Sequence, residues 1–269
     1  MQRKTGILTF CYTLFLLMLF LSGSLSGILS DLVYYLAFAL PIGISFYLTR
    51  YDDSDWKKYL TVDRGGVKRF LPLIFPTISA IIIVSMITSL LIYNLSGKTN
   101  DIDVGDSLFV ALLTHALLPA VLEEAIFRFL PIKLLAPHSP RAAIIISAFF
   151  FSLAHADLFT IPYALVAGVM LMMVDLICDS IIPSIVIHFI NNALSVLMLF
   201  MEDSPFSILG IYAIIILLTV ISIIIICETR EDYEVELILA TEKGEGVKLT
   251  LGMGLFAALT LAVAILNLL

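Results

Sequence analysis

The residues best able to do chemistry in this 269-residue chain stand where charge is costly. Glu123, Glu124 and Arg128 interrupt an apolar run as Val121-Leu122-Glu123-Glu124-Ala125-Ile126-Phe127-Arg128. His155 closes Phe149-Phe150-Phe151-Ser152-Leu153-Ala154-His155, and His188 and Asn192 bound His188-Phe189-Ile190-Asn191-Asn192. On a helix, Glu124 and Arg128 are four apart, share a face and can neutralise each other. Glu123 points about 100° away, which leaves it for another task. His188 and Asn192 are also four apart on one face.

A carboxylate with an imidazole can hold a water and take its proton, so that a hydroxide-like oxygen attacks a carbonyl. An imidazole N–H and an amide on one helical face can donate to the developing oxyanion. Together they make a non-covalent hydrolase that needs no Ser or Cys nucleophile. Glu123, His155 and His188 could instead hold zinc, since two imidazoles and a carboxylate form a common ligand set. The single-helix signature H-E-x-x-H is missing. The structural alternative is an ion pair and interhelical hydrogen bonds that only hold helices together.

Composition shows what must position these groups. Hydrophobic residues make up 61% of the chain and charged residues 14%, with mean hydropathy +1.08. Soluble domains run nearer half apolar and a quarter charged, so the surplus faces lipid. A helix of about 20 apolar residues crosses a bilayer. Candidate spans fall near 6–26, 31–49, 70–95, 106–133, 141–156, 160–178, 181–201, 206–227 and 249–269. The expected fold is all-α: a polytopic transmembrane bundle of eight or nine spans, one domain over 1–269, in the cell membrane. The first run follows Met1–Lys4 and reads as a span, because the next run begins too soon for a cleaved leader. Two polar segments, 50–69 and 228–248, read as solvated connections. Tyr233–Ala240 in the second alternates weakly, like a strand.

With the N-terminus in the cytoplasm, thirteen of the fifteen Lys and Arg residues fall on the cytoplasmic side; Lys98 alone falls outside and Arg128 lies within a span. That asymmetry matches the positive-inside bias. At about 1.5 Å per residue, Glu123, His155 and His188 sit roughly 15, 21 and 10 Å from the cytoplasmic ends of their helices. They can share one cavity. The net charge of −7 leaves no basic stripe for phosphates, so nucleic acid is not an expected partner. Cys11, Cys178 and Cys227 form no C-x-x-C pair and read as small buried or lipid-facing residues.

Glu123-Glu124-x-x-x-Arg128, Phe151-x-x-x-His155 and His188-x-x-x-Asn192, in that order and each on its own span, resemble the three motifs of the CAAX protease and bacteriocin-processing family. These are intramembrane endopeptidases related to the type II CAAX prenyl endopeptidase. The resemblance covers about 106–205. It implies that Glu123 is the general base, that His155 helps bind or activate the water, and that His188 and Asn192 form the oxyanion hole. Glu124 and Arg128 support the site. It implies no required cofactor, with zinc on Glu123, His155 and His188 as the alternative. Its implied partners are membrane lipid and a lipidated or membrane-embedded peptide, such as the C-terminal tripeptide of a prenylated CAAX protein reached through a cavity open to the cytoplasm. A non-catalytic immunity, scaffold or transport protein is the reading from another class, with Glu and His serving proton relay or packing.

Four residues lie outside those motifs. His115, two turns before Glu123, reads as interior packing or a support to the site. Pro119 between them is expected to bend the helix and free carbonyls. Asp175 and Asp179 read as helix termination or solvation, with substrate contact as the alternative.

Overall fold

A computed structural model of the chain describes residues 2–50, 56–97, 105, 107–201, 204–230, 233, 254, 258, 260 and 261. Among them every regular element is helical. The long helices are α1 (Gln2–Gly23), α2 (Gly27–Leu48), α3 (Arg64–Ser96), α4 (Leu108–Leu134), α5 (Pro140–Ala154), α6 (Ile161–Cys178), α7 (Ile182–Phe200) and α8 (Pro205–Glu228). All but α5 are long and apolar enough to cross a membrane. The expected multi-pass helical bundle is therefore present. Most of the ninth candidate span and most of the 228–248 tail, with nearly all of its strand-like stretch, lie outside the described residues.

Local signals explain the helix starts. Asp63 accepts the Gly66 N–H at 2.6 Å ahead of α3. Ser139 accepts the Ala142 N–H ahead of α5, where Pro140 takes the first helical position. The segment 50–69, expected as a solvated connection, is partly structured. A 3-10 turn spans Trp56–Leu60, its Tyr59 is buried, and the Tyr59 carbonyl accepts the Ile181 N–H at 2.9 Å. The following helix starts at Arg64 rather than near 70, because Asp63 caps it.

Helix α6 packs against α3, α5 and α7 at the centre of the bundle, and α4 packs against α7 and α1. The α5–α6 contact is close. A Cβ placed on Gly168 would lie 2.6 Å from Ala148 Cα. Lipid offers helices no hydrophobic incentive to associate, so small residues that permit backbone contact do that work.

Helix α4 is not a uniform α-helix. Wide π turns occupy Leu112–Leu117 and Ala125–Phe129, on either side of Glu123 and Glu124. Each precedes a proline, Pro119 or Pro131. A proline supplies no N–H to the carbonyl four residues back. For Pro131 that carbonyl belongs to Phe127, and the Ser147 hydroxyl of α5 donates to it instead. The expected bend is thus a local widening of the helix, a form common at functional sites.

Basic residues gather at one end of the bundle. Arg3 donates to the Leu48 carbonyl at 2.6 Å, Lys58 pairs with Asp179 at 2.7 Å, and the Lys133 ammonium sits 3.7 Å over the Phe46 ring. Cys11 and Cys178 are buried and Cys227 is exposed, as expected for unreactive packing or lipid-facing positions.

Candidate active site

The folded bundle brings Glu123, His155, His188 and Asn192 from three helices to one cavity of about 360 Å³. That volume is within the range of small-ligand sites. Phe151 and His115 also line it.

Glu123 faces two imidazoles. Its Oε2 lies 3.9 Å from His155 Nε2 and 3.9 Å from His188 Nε2. This oxygen is buried and has no hydrogen-bond partner within the protein. A water at about 2.8 Å from Oε2 and from either Nε2 closes a triangle across such a gap. Buried carboxylate oxygens are costly to leave unpaired, so the position calls for a bound polar group.

The far side of each ring fixes its orientation. His155 Nδ1 is 2.9 Å from the Phe151 carbonyl, an acceptor only, so Nδ1 donates there and Nε2 is the nitrogen turned to Glu123. His188 Nδ1 is 2.7 Å from Glu124 Oε1. Glu124 also pairs with Arg128 at 3.1 Å, and all of these groups except His188, at 9%, have fully buried side chains. Spacing had assigned Glu124 to Arg128 alone; it also orients a motif histidine. The cause is the approach of α7, which no pattern within α4 encodes.

Several contacts at the site were not legible in the sequence. Ser147 accepts from Arg128 Nη1 at 3.2 Å while donating to Phe127. Phe151 stands 5.0 Å from the His155 ring, 5.8 Å from the His188 ring and 4.4 Å beneath the Arg128 guanidinium. It is a wall shared by all three. Asn191 Nδ2 donates to Asn192 Oδ1 at 3.3 Å, which leaves the Asn192 NH₂ to donate elsewhere. The motif spacing already put Phe151 on one face with His155; its contacts with His188 and Arg128 depend on the other helices.

Two expectations need correction. His115 is exposed at the cavity rather than packed inside, because the π turn carries it to the wall. Asp175 does not terminate its helix or meet solvent. It is fully buried, and its Oδ1 accepts the Ser184 N–H at 3.0 Å, tying α6 to the first turn of α7. Asp179 does end α6, in a left-handed conformation at φ 51°.

Among the described residues, no three His, Cys, Asp or Glu side chains form a metal-binding group. Glu123 Oε2 lies 3.9 Å from each of the His155 and His188 Nε2 atoms, the three residues expected as zinc ligands. Tetrahedral zinc ligands stand roughly 3.4 Å apart, so a metal there would draw these side chains inward by about half an ångström.

The described residues thus form a multi-pass helical bundle in which a carboxylate, two imidazoles and an amide line one cavity. Residues 105–194 match the family of type II CAAX prenyl endopeptidase Rce1-like proteins. Comparison with curated proteins and with solved structures returns no match. The family supports a membrane protease of the CAAX endopeptidase type.

Proposed function

We propose that the chain hydrolyses a peptide bond in a membrane-associated substrate, with water activated by Glu123 and His155. The observation that carries this reading is the unpaired Glu123 Oε2, equidistant from two imidazole nitrogens. Glu123 takes a proton from the water, and His155 Nε2 holds the water through its lone pair. The water oxygen attacks the scissile carbonyl. His188, its Nδ1 held by Glu124, donates Nε2–H toward the oxyanion. The Asn192 amide supplies the second donor. The proton held by Glu123 then passes to the departing amine, and the C–N bond breaks.

A lipidated peptide is the substrate class this reading favours. Apolar side chains such as Ile81, Met86, Leu194 and Met198 line the rest of the cavity, where an alkyl or isoprenoid chain would be buried. A prenylated C-terminal peptide ending in a removable tripeptide is the form the family description suggests. The test is cleavage of a fluorogenic prenylated peptide, and of its unprenylated counterpart, by purified protein, with Glu123→Ala as control. Undiminished cleavage by Glu123→Ala removes the mechanism; equal cleavage of both peptides removes the lipid preference. No metal is assigned to the reaction. Stoichiometric zinc whose removal abolishes activity and whose return restores it would replace water activation by Glu123 with zinc held on Glu123, His155 and His188.

A further inference from the structure

We propose that His115 is the subsite for a free C-terminal carboxylate, so that the chain takes peptides ending about three residues beyond the bond it cuts. The position of the cut rests on the hydrolase reading; the carboxylate site does not.

His115 lines the same cavity as Glu123, and neither the motifs nor the proposed reaction uses it. Among the described residues around that cavity, none is Lys or Arg. Histidine is therefore the only side chain there able to carry a positive charge. His155 and His188 each turn Nε2 to Glu123 Oε2 at 3.9 Å. Those two rings are committed to the carboxylate and the water. His115 is left to meet an anion brought by a ligand, and an imidazole donates an N–H whether neutral or protonated. A peptide cut close to its C-terminus brings such an anion. An ionised group at membrane depth is costly unless it finds a partner.

Length selects the number of residues. His115 stands eight residues before Glu123 on α4. At about 1.5 Å per residue the two are roughly 12 Å apart, slightly less where the π turn Leu112–Leu117 intervenes. Both side chains leave one helix with the same tilt, so this spacing carries over to their tips. An extended chain spans about 3.3–3.6 Å per residue. Three residues therefore cover about 10–11 Å, whereas two reach about 7 Å and four about 14 Å.

Proton transfer gives the polarity of the bound peptide. Each turnover consumes one water: its hydroxyl goes to the acyl carbon, and its remaining proton goes through Glu123 to the amine as the C–N bond breaks. The amine thus departs beside α4, and the C-terminal piece begins there. His115, on the same helix, stands where that piece ends. The apolar residues Ile81, Met86, Leu194 and Met198 belong to α3 and α7 and serve the acyl side.

Binding of a tripeptide to the purified full chain in detergent tests the subsite. The probes are valyl-leucyl-leucine as the free acid and as the C-terminal amide, titrated by calorimetry. Neither holds a bond three residues from its end, so no turnover interferes. The parent is expected to bind the acid about 10–100-fold more tightly than the amide, the usual worth of a hydrogen bond to a charged group. His115→Ala is expected to bring that ratio to about one. His115→Gln, which keeps an N–H donor, should restore part of it. An acid bound no more tightly than the amide by the parent overturns the subsite, and so does a preference that survives His115→Ala. Prenylated peptides with leaving segments of two, three and four residues test the length. Three is expected to give the highest kcat/KM, and a best segment of two or four overturns the spacing. Absent cleavage, or cleavage undiminished in Glu123→Ala, removes the hydrolase reading, while the acid-to-amide binding ratio still decides the subsite.

Discussion

Glu124 and His188, 64 positions apart in the chain, meet at 2.7 Å through Oε1 and Nδ1. Glu123, next to Glu124, approaches the other nitrogen of the same ring at 3.9 Å. Two adjacent carboxylates on α4 thus embrace one imidazole on α7. One fixes the ring, and the other shares its free nitrogen with the cavity.

Loss of the free carboxylate should remove turnover and spare the fold. Glu123→Gln is expected to lower peptide cleavage by about 10²–10⁴-fold, the usual contribution of a general base. Its thermal transition in detergent should stay close to that of the parent. Unchanged function of Glu123→Gln in cells lacking the native protein would favour a non-catalytic role.

Loss of Glu124 should act on both. Its side chain and that of Arg128 are fully buried. Removing one partner of such a pair leaves a buried charge uncompensated, at a cost of about 3–5 kcal/mol. Glu124→Gln should unfold at lower temperature than Glu123→Gln and also cleave poorly, because His188 loses its anchor. A Glu124→Gln protein as stable as the parent would contradict this pairing.

Ser147→Ala should expose the cost of the proline at 131. The substitution strips the Phe127 carbonyl of its donor and removes an acceptor from Arg128. A destabilisation of about 1–3 kcal/mol follows for such buried groups. Ser147→Thr, which keeps the hydroxyl, should recover part of it. Chemical or thermal unfolding of the purified variants measures both.

Gly168→Ala tests the α5–α6 contact. The new methyl meets Ala148 Cα at 2.6 Å, and backbone cannot move as a flexible side chain can. Overpacking of this kind costs about 1–3 kcal/mol. Because α5 carries Phe151 and His155, cleavage should fall together with the thermal transition. Equal activity and stability would show that the two helices separate without effect on the site.

Much of the site was legible in one dimension. The three motif pairs sit at i,i+4 spacing, and helix geometry turns that spacing into a shared face without knowledge of any neighbour. Phe151 illustrates the limit. Its position in the pattern was visible, but its contact with His155, His188 and Arg128 depends on three helices meeting. Asp175 is a sharper case: near a helix end it resembles a terminating residue, and only the arrival of Ser184 on α7 gives it a buried partner.

Composition, charge asymmetry and spacing by themselves determined that this is a multi-pass helical membrane protein with ionisable groups on α4, α5 and α7. Hydropathy and helical periodicity are local properties, so they survive without coordinates. Tertiary structure alone decided which carboxylate holds His188 and where Ser147 intervenes. Those outcomes depend on how separate helices rotate and approach one another. Here the π turns before Pro119 and Pro131 shift that rotation in a way that a uniform helical period does not encode.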